Sequence, residues 1–318
     1  MSFRGIQTQR CSSFRRWRKV RSFGVVVLAG FGFLAFTSSS RAQLIVNDTF
    51  SDNERSTQSP PNSLSWIVGA HNSTAANAFG TLDASSGKMV LDHTQSSGVN
   101  SFAAAIGYFT ISGSPITLNV GDTMTLSFDV SFSNGAFTTS SGAFRWALFN
   151  SSGSRVSADF AGNNATGIAS GSTFSGYRGY EAQSRVDATA TSGAMLTRER
   201  TGNDTGLFTS TSWTALSGGS TSSASYAAAT TYSGTLSLER TASGVNVQGS
   251  LNGATTPVAL DTTPVTQFDT IAFFTVDALT HDLTFDNVNV TVVPEPATCS
   301  LLAMAGVSFL AARRRHCD

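Results

Sequence analysis

From Asp122 to Phe132 the chain reads DTMTLSFDVSF, and it alternates without a fault: Met124, Leu126, Phe128, Val130 and Phe132 are apolar, with Thr125, Ser127, Asp129 and Ser131 between them. Successive side chains of a strand point to opposite faces, whereas a helix repeats every 3.6 residues, so the stretch specifies a strand with one buried face. The same period recurs along residues 43–293. Phe144, Trp146 and Leu148 form another alternating set, and TYSGTLSLERTASGVNVQGSLNG reads as a hairpin. In it Leu236 and Leu238 precede a turn from Thr241 to Gly244, and Val245 and Val247 follow. FDTIAFFTVDALTHDLTFDNVNVTVV supplies the last two strands. Its apolar phase moves from odd positions (Leu283, Phe285) to even ones (Val288, Val290, Val292), a shift that a bulge near Asp286-Asn287 would absorb.

No segment between the two ends carries a sustained helical period with caps, and no internal repeat is present. Many short strands separated by Gly, Ser and Asn turns predict an all-β fold, a jelly-roll-type two-sheet sandwich over residues 43–293. Residues 150–175 and 187–230, dense in Ser, Thr, Gly and Ala, are expected to be long loops or irregular edge strands. The strand-turn-strand near Glu239 and the closing Phe285-Asp286-Asn287-Val288 resemble those of concanavalin-like (laminin-G-like) jelly rolls.

Charge divides unevenly. Eleven of the 20 basic groups sit in residues 1–42 or at Arg313, Arg314 and Arg315, which leaves nine in residues 43–293 against 18 acidic groups. The formal net charge of zero thus hides a body near −9, which argues against nucleic acid as a partner. All three cysteines (Cys11, Cys299, Cys317) lie outside the body, so it has neither a disulfide framework nor a thiolate metal site.

Both ends read as addresses. A basic stretch through Arg21, an apolar run from Ser22 to Phe36, and small residues at Ser40 and Ala42 fit a signal peptide (residues 1–42) cleaved between Ala42 and Gln43. At the other end, Ala297 to Ala312 is an apolar run that predicts a transmembrane helix, and Arg313, Arg314 and Arg315 follow it. The positive-inside rule keeps that cluster in the cytoplasm and puts the body outside. Pro294 and Pro296 hold Glu295 in an extended segment that a processing enzyme can grip. Taken together, Pro294-Glu295-Pro296, the apolar run and the terminal arginines (residues 294–318) resemble the PEP-CTERM sorting signal of Gram-negative bacteria. That resemblance implies a membrane protease, exosortase, as a partner and an association with exopolysaccharide. It also implies export across the inner membrane, transient anchoring through the C-terminal helix, and a final place at the cell surface or outside the cell.

Chemistry-bearing residues are sparse. No G-x-S-x-G elbow occurs, and His71, His93 and His281 are far apart in sequence. The body has four glutamates, Glu54, Glu181, Glu199 and Glu239, with no two close on one strand face and no E-x-D-x-x-E signature, so no catalytic residue is assigned. Asp48 and Asp52, with Asn53 and Glu54, and Asp286 with Asn287 are hard oxygen donors. They would converge on a structural calcium if the first and last strands lie side by side, and they serve equally well as turn formers. For carbohydrate, Trp213, Tyr177 and Tyr180 sit among small polar residues and are the aromatic candidates, each with a competing core reading. The leading expectation is a non-enzymatic surface or matrix protein without a resident cofactor. A lectin-like module and a polysaccharide-active enzyme are the alternatives.

Overall fold

A computed structural model describes residues 41–56, 59–71, 82–91, 102–133, 143–162, 170–185, 195–208, 210–217, 226–276 and 282–295. The expected signal helix, and the tail from Pro296 on, lie outside these residues. Among the described residues no helix is long and apolar enough to cross a membrane.

Among the described residues the body is a sandwich of a nine-stranded and an eight-stranded sheet, antiparallel except where Trp66–His71 meets Phe160–Gly162, with small 3-10 turns as the only helical pieces. At the centre of the first sheet lies Thr123–Phe132, whose burial alternates along its whole length as the sequence requires. Thr231–Thr241 pairs on one side of it and Leu283–Val293 on the other. The hairpin closes with Thr241 opposite Gly244, leaving a two-residue turn. Ala143–Asn150 is central to the second sheet, between Arg178–Arg185 and Thr270–Val276.

The two strands at the ends of the body meet. Gln43–Asp48 runs antiparallel to the second half of Leu283–Val293, with Asn47 opposite Asn289 and Asp48 opposite Val288. Met89–Leu91 pairs with the first half of that strand. The phase shift falls where the sequence puts it. The register against Thr123–Phe132 slips between Asp286 and Asn289, so Asn287 and Val288 together oppose Phe128. Asn287 takes a left-handed φ of 51° there, a conformation asparagine tolerates, and its side-chain amide donates to Asp129 Oδ2 at 2.9 Å. Val288, Val290 and Val292 are thereby turned inward.

Between the sheets the core is aromatic. Phe273 lies 4.9 Å from Phe128 and 4.5 Å from Phe285, and Phe144 lies 5.4 Å from Trp146, centroid to centroid. Trp146 Nε1 donates across the gap to the Thr235 carbonyl at 2.8 Å, so its one polar atom ties the two sheets together. Gly249 lies where the two sheets come close together, because a Cβ there would lie 2.4 Å from the Ala182 Cβ.

Gly249→Ala is therefore expected to destabilise the protein by about 1–3 kcal/mol through overpacking. Adding Ala182→Gly should recover part of the loss. A double-mutant cycle on urea midpoints measures the coupling, and strictly additive effects would mean the two positions do not meet.

Candidate functional site

Three central strands of the second sheet, Ala143–Asn150, Thr270–Val276 and Phe102–Tyr108, are largely apolar on both faces. Ala147 and Phe149, Ala272 and Phe274, and Ala104 and Ile106 all point away from the sandwich interior, and all are buried. Exposed, such a surface would be a large apolar patch. It is covered by the segments following Asn150 and Arg200, which bring Phe174, Tyr177, Leu207, Phe208 and Trp213 over it as a second core. Phe208 stacks on Phe274 (4.3 Å, 11° between planes) and on Trp213 (6.1 Å, 17°).

One cation fixes this cover. Arg200 is fully buried and donates to the carbonyls of Tyr177, Gly202, Asp204, Gly206 and Leu207 at 2.7–3.2 Å. Burial lowers its guanidinium to about 10, still well above neutrality, so it remains a cation solvated by backbone dipoles. Arg178 reinforces it with bonds to the carbonyls of Tyr177 (2.8 Å) and Gly202 (3.0 Å).

The three aromatic candidates for carbohydrate all lie inside, so the structure sides with their core reading and not with the sugar-binding one. Tyr177 is fully buried in the cover, its hydroxyl 3.0 Å from that of Tyr108. Tyr180 is fully buried between the sheets and donates to Asp261 Oδ2 at 2.7 Å. Trp213 is only 8% exposed. Small polar neighbours in sequence do not expose a ring when the sheet beneath it is apolar.

Around Trp213 lies a polar block that the sequence reading did not single out. Gln183 is directly opposite Arg145, and Glu181 directly opposite Arg198, on neighbouring rows of the outward face. Glu181 is fully buried. Arg198 donates through Nε to its Oε1 at 2.6 Å and through Nη2 to Gln183 Oε1 at 2.6 Å. Arg145 donates to the Phe208 carbonyl at 3.2 Å. Both guanidiniums lie over rings, Arg145 over Phe274 at 5.2 Å and Arg198 over Trp213 at 5.6 Å. The TRER run does show Arg198 and Arg200 on one face, but which residue each meets depends on register, and a single sequence does not carry that.

The outer face of the first sheet is different. A continuous row of short polar side chains, Asn47, Asn289, Ser127, Thr235, Ser250 and Thr255, crosses six strands in register. A second row runs Thr291, Thr125, Ser237 and Gln248. At ordinary strand spacing the first row is roughly 24 Å long. Its members are half-exposed, and Thr255 is fully so.

The acidic candidates for calcium do not converge, although the strands carrying them do pair. Asp48 turns inward, where its carboxylate accepts from Phe50 N, Leu64 N and Trp66 Nε1 at 2.9–3.0 Å. Burial raises its pKa against those bonds. Asp52 is exposed and accepts from Glu54 N, and Asp286 accepts from Asn287 N on the outward face. The bulge puts Asp48 and Asp286 on opposite faces, and these carboxylates act as turn formers. Among the described residues no group of three or more metal-ligating side chains exists. Glu181 and Glu199 are likewise split, since Glu199 pairs with inward-facing Tyr180. Burial, and then the nearby Asp261, raise Glu199 to about 7.

Of the terminal motifs, Ala42 and Gln43 are exposed at the start of the first strand, and Pro294 and Glu295 directly follow the last one. A Cβ on Gly121, whose φ is +94°, would meet the Glu295 side chain. Pro296, Arg313, Arg314 and Arg315 lie outside the described residues.

No family model matches the chain, and no curated relative does. Among solved structures, the globular domain of T. cruzi calreticulin is similar at TM-score 0.42 and 12% identity, over 85% of this chain and 95% of that one. The metal-free carbohydrate recognition domain of Emp46p gives TM-score 0.42 and 12% identity, over 72% and 88%. A legume lectin-like domain from Entamoeba histolytica gives 0.36 and 6%, over 72% and 89%. Scores this low do not bear on what this chain binds.

Two outcomes are expected. Trp213→Ala should lower stability by about 3–5 kcal/mol, the usual range for truncating a buried aromatic, and near-neutral denaturation would contradict its burial. Glu199→Gln should change stability in a pH-dependent way. The folded carboxyl titrates near 7 and the unfolded one near 4.5, so the native protein loses stability as pH rises through that window. Glutamine removes the loss, so the Tm gain of the variant should be larger at pH 8 than at pH 5. A gain equal at both would refute the raised pKa.

Proposed function

We propose that this is an exported, sorted surface protein whose body contacts exopolysaccharide without cleaving it. The observation that carries the proposal is the hydroxyl- and amide-bearing row from Asn47 to Thr255 across six strands. A flat, regular array of short donors and acceptors matches the repeating hydroxyls of a sugar chain. Ser and Thr also lose little side-chain entropy on contact. Each hydrogen bond contributes only about 0.5–1.5 kcal/mol net, so one domain binds weakly and many copies on one matrix bind firmly. The non-catalytic reading draws support from Glu181 and Glu199 facing opposite sides of their sheet, which leaves them unable to flank one glycosidic bond.

Sorting is the second half of the proposal. Its support is the Val293-Pro294-Glu295-Pro296 sequence leaving directly from the last strand, with the apolar run and three arginines behind it. Exosortase would release the body at that corner, after a signal peptidase has freed Gln43. The first strand lies against the last, so both processing points fall at one end of one strand pair, Gln43 opposite Val292.

Retention of the purified protein on its host's exopolysaccharide tests the contact face. The triple variant Ser127→Ala, Thr235→Val, Ser250→Ala should reduce retention several-fold with an unchanged circular dichroism spectrum. Release of new reducing ends during the incubation would replace this reading with the enzymatic one. Intact mass tests the sorting: the extracellular species should begin at Gln43 and end near Pro296. Recovery of the tail through Arg315 in that fraction would overturn it.

A further inference from the structure

Positive charge is concentrated in one part of the body. Five of its nine basic groups, Arg145, Arg178, Arg185, Arg198 and Arg200, stand on three neighbouring strands, Ala143–Asn150, Arg178–Arg185 and Met195–Arg200, which carry only two acids, Glu181 and Glu199. Arg200 and Arg178 are engaged with backbone carbonyls under the cover. Arg145 and Arg198 differ. They flank a single carboxylate, Glu181, so the trio keeps one unit of positive charge.

We infer that the outward face of these strands is a binding site for an acidic glycan, and that Arg145 and Arg198 together take the carboxylate of a uronic-acid residue. This inference names a ligand class and rests on the polysaccharide-contact reading, though it uses the opposite sheet. Three observations support it. The free edges come first: Nη2 of Arg145 and Nη1 of Arg198 make no hydrogen bond among the described residues, and neither is sealed from solvent. These are the donors a planar carboxylate accepts from. Preorganisation is the second. Each guanidinium lies over a ring, Phe274 or Trp213, and Phe208 stacks between those rings, so the two cations are held in fixed planes before any ligand arrives. Incomplete satisfaction is the third, because Arg145 Nε, Glu181 Oε2 and Trp213 Nε1 are buried without a partner. Buried polar groups are nearly always paired; the two orphan donors suit an anionic ligand, whereas the Glu181 oxygen is an acceptor that only a sugar hydroxyl would meet.

Arginine suits this role better than lysine would, since its plane stacks on an aromatic face while one edge nitrogen of each guanidinium is left to donate. Outside these three strands the body carries four basic and 16 acidic groups, a net charge near −12, and repels a polyanion. That repulsion restricts an acidic chain to this one patch and makes binding fall as salt rises.

The test is binding of the full-length chain to immobilised polygalacturonate, with dextran and dextran sulfate of matched length as the other arms. The wild type should bind polygalacturonate at least tenfold more tightly than dextran. Arg145→Gln, and separately the paired Glu181→Gln/Arg198→Gln, which removes both members of the buried ion pair, should abolish that preference while leaving dextran retention unchanged. Should Arg145→Gln fail to fold, Arg145→Lys keeps the charge, loses the plane held over Phe274, and should still weaken polygalacturonate binding several-fold. Unchanged polygalacturonate binding in these variants, or equal binding to dextran sulfate, would overturn the assignment. Dextran retained with no preference for polygalacturonate would sink the acidic site alone. An arginine-dependent preference without any dextran retention would sink the contact face of the first sheet and leave this site standing.

Discussion

A sheet that is apolar on both faces has to be covered twice. That constraint shapes the chain more than any single contact. The inward face of Ala143–Asn150 and its neighbours packs against the other sheet, as in any sandwich. The outward face requires a second layer, and the chain supplies it from segments that carry little regular structure among their described residues. Such segments have backbone carbonyls with no ladder to satisfy them, and five of those are gathered onto the buried guanidinium of Arg200. Without that cation the loop would have to bring water in with it, and the stack of Phe274, Phe208 and Trp213 would open. Arg145 and Arg198 owe their fixed planes to the same stack.

Much of the sandwich was legible in the sequence, for a definite reason. Period-two alternation reports which side of a strand is buried. It therefore identified Thr123–Phe132, the hairpin around Thr241 and Gly244, and even the bulge, since one residue too many in an alternating run has nowhere else to go. The side-by-side placement of the first and last strands, which the calcium reading took as its condition, is present as well, although alternation alone does not specify it. Alternation fails when both faces are apolar. In Phe144-Arg145-Trp146-Ala147-Leu148-Phe149 the bulkier inward set hides the outward one. The cover is harder still to read, because Phe174, Leu207 and Phe208 are isolated among Ser, Thr and Gly, and nothing local says that they converge. For that reason the sequence leaves Trp213 and Tyr177 between a surface and a core reading, and the structure puts both inside. The block around Glu181 was unreadable for a related reason. Glu181 and Arg198 lie 17 residues apart, and only the register of two strands brings them together.

The two outer surfaces have opposite characters. One is a plane of hydroxyls and amides flanked by Asp129, Asp286 and Glu239, while the other is a closed aromatic lid with arginines at its margin. Their difference follows from what each sheet presents outward. Thr, Ser and Asn are small enough to leave a sheet flat and wet, whereas Phe149 and Phe274 cannot be left wet and draw the chain back over themselves.

The pairing of Gln43–Asp48 with Leu283–Val293 has a mechanical consequence. Tension applied beyond Val293 runs along a strand held on both sides, by Thr123–Phe132 on one and by Gln43–Asp48 with Met89–Leu91 on the other. Ladder hydrogen bonds stand perpendicular to such a pull, so they resist together in shear rather than opening one after another like a zipper. The strand nearest the exit is thus among the hardest to draw out of the domain. A body pulled from its C-terminal end in a flowing, sticky matrix would pass the strain to its surroundings before it unravelled.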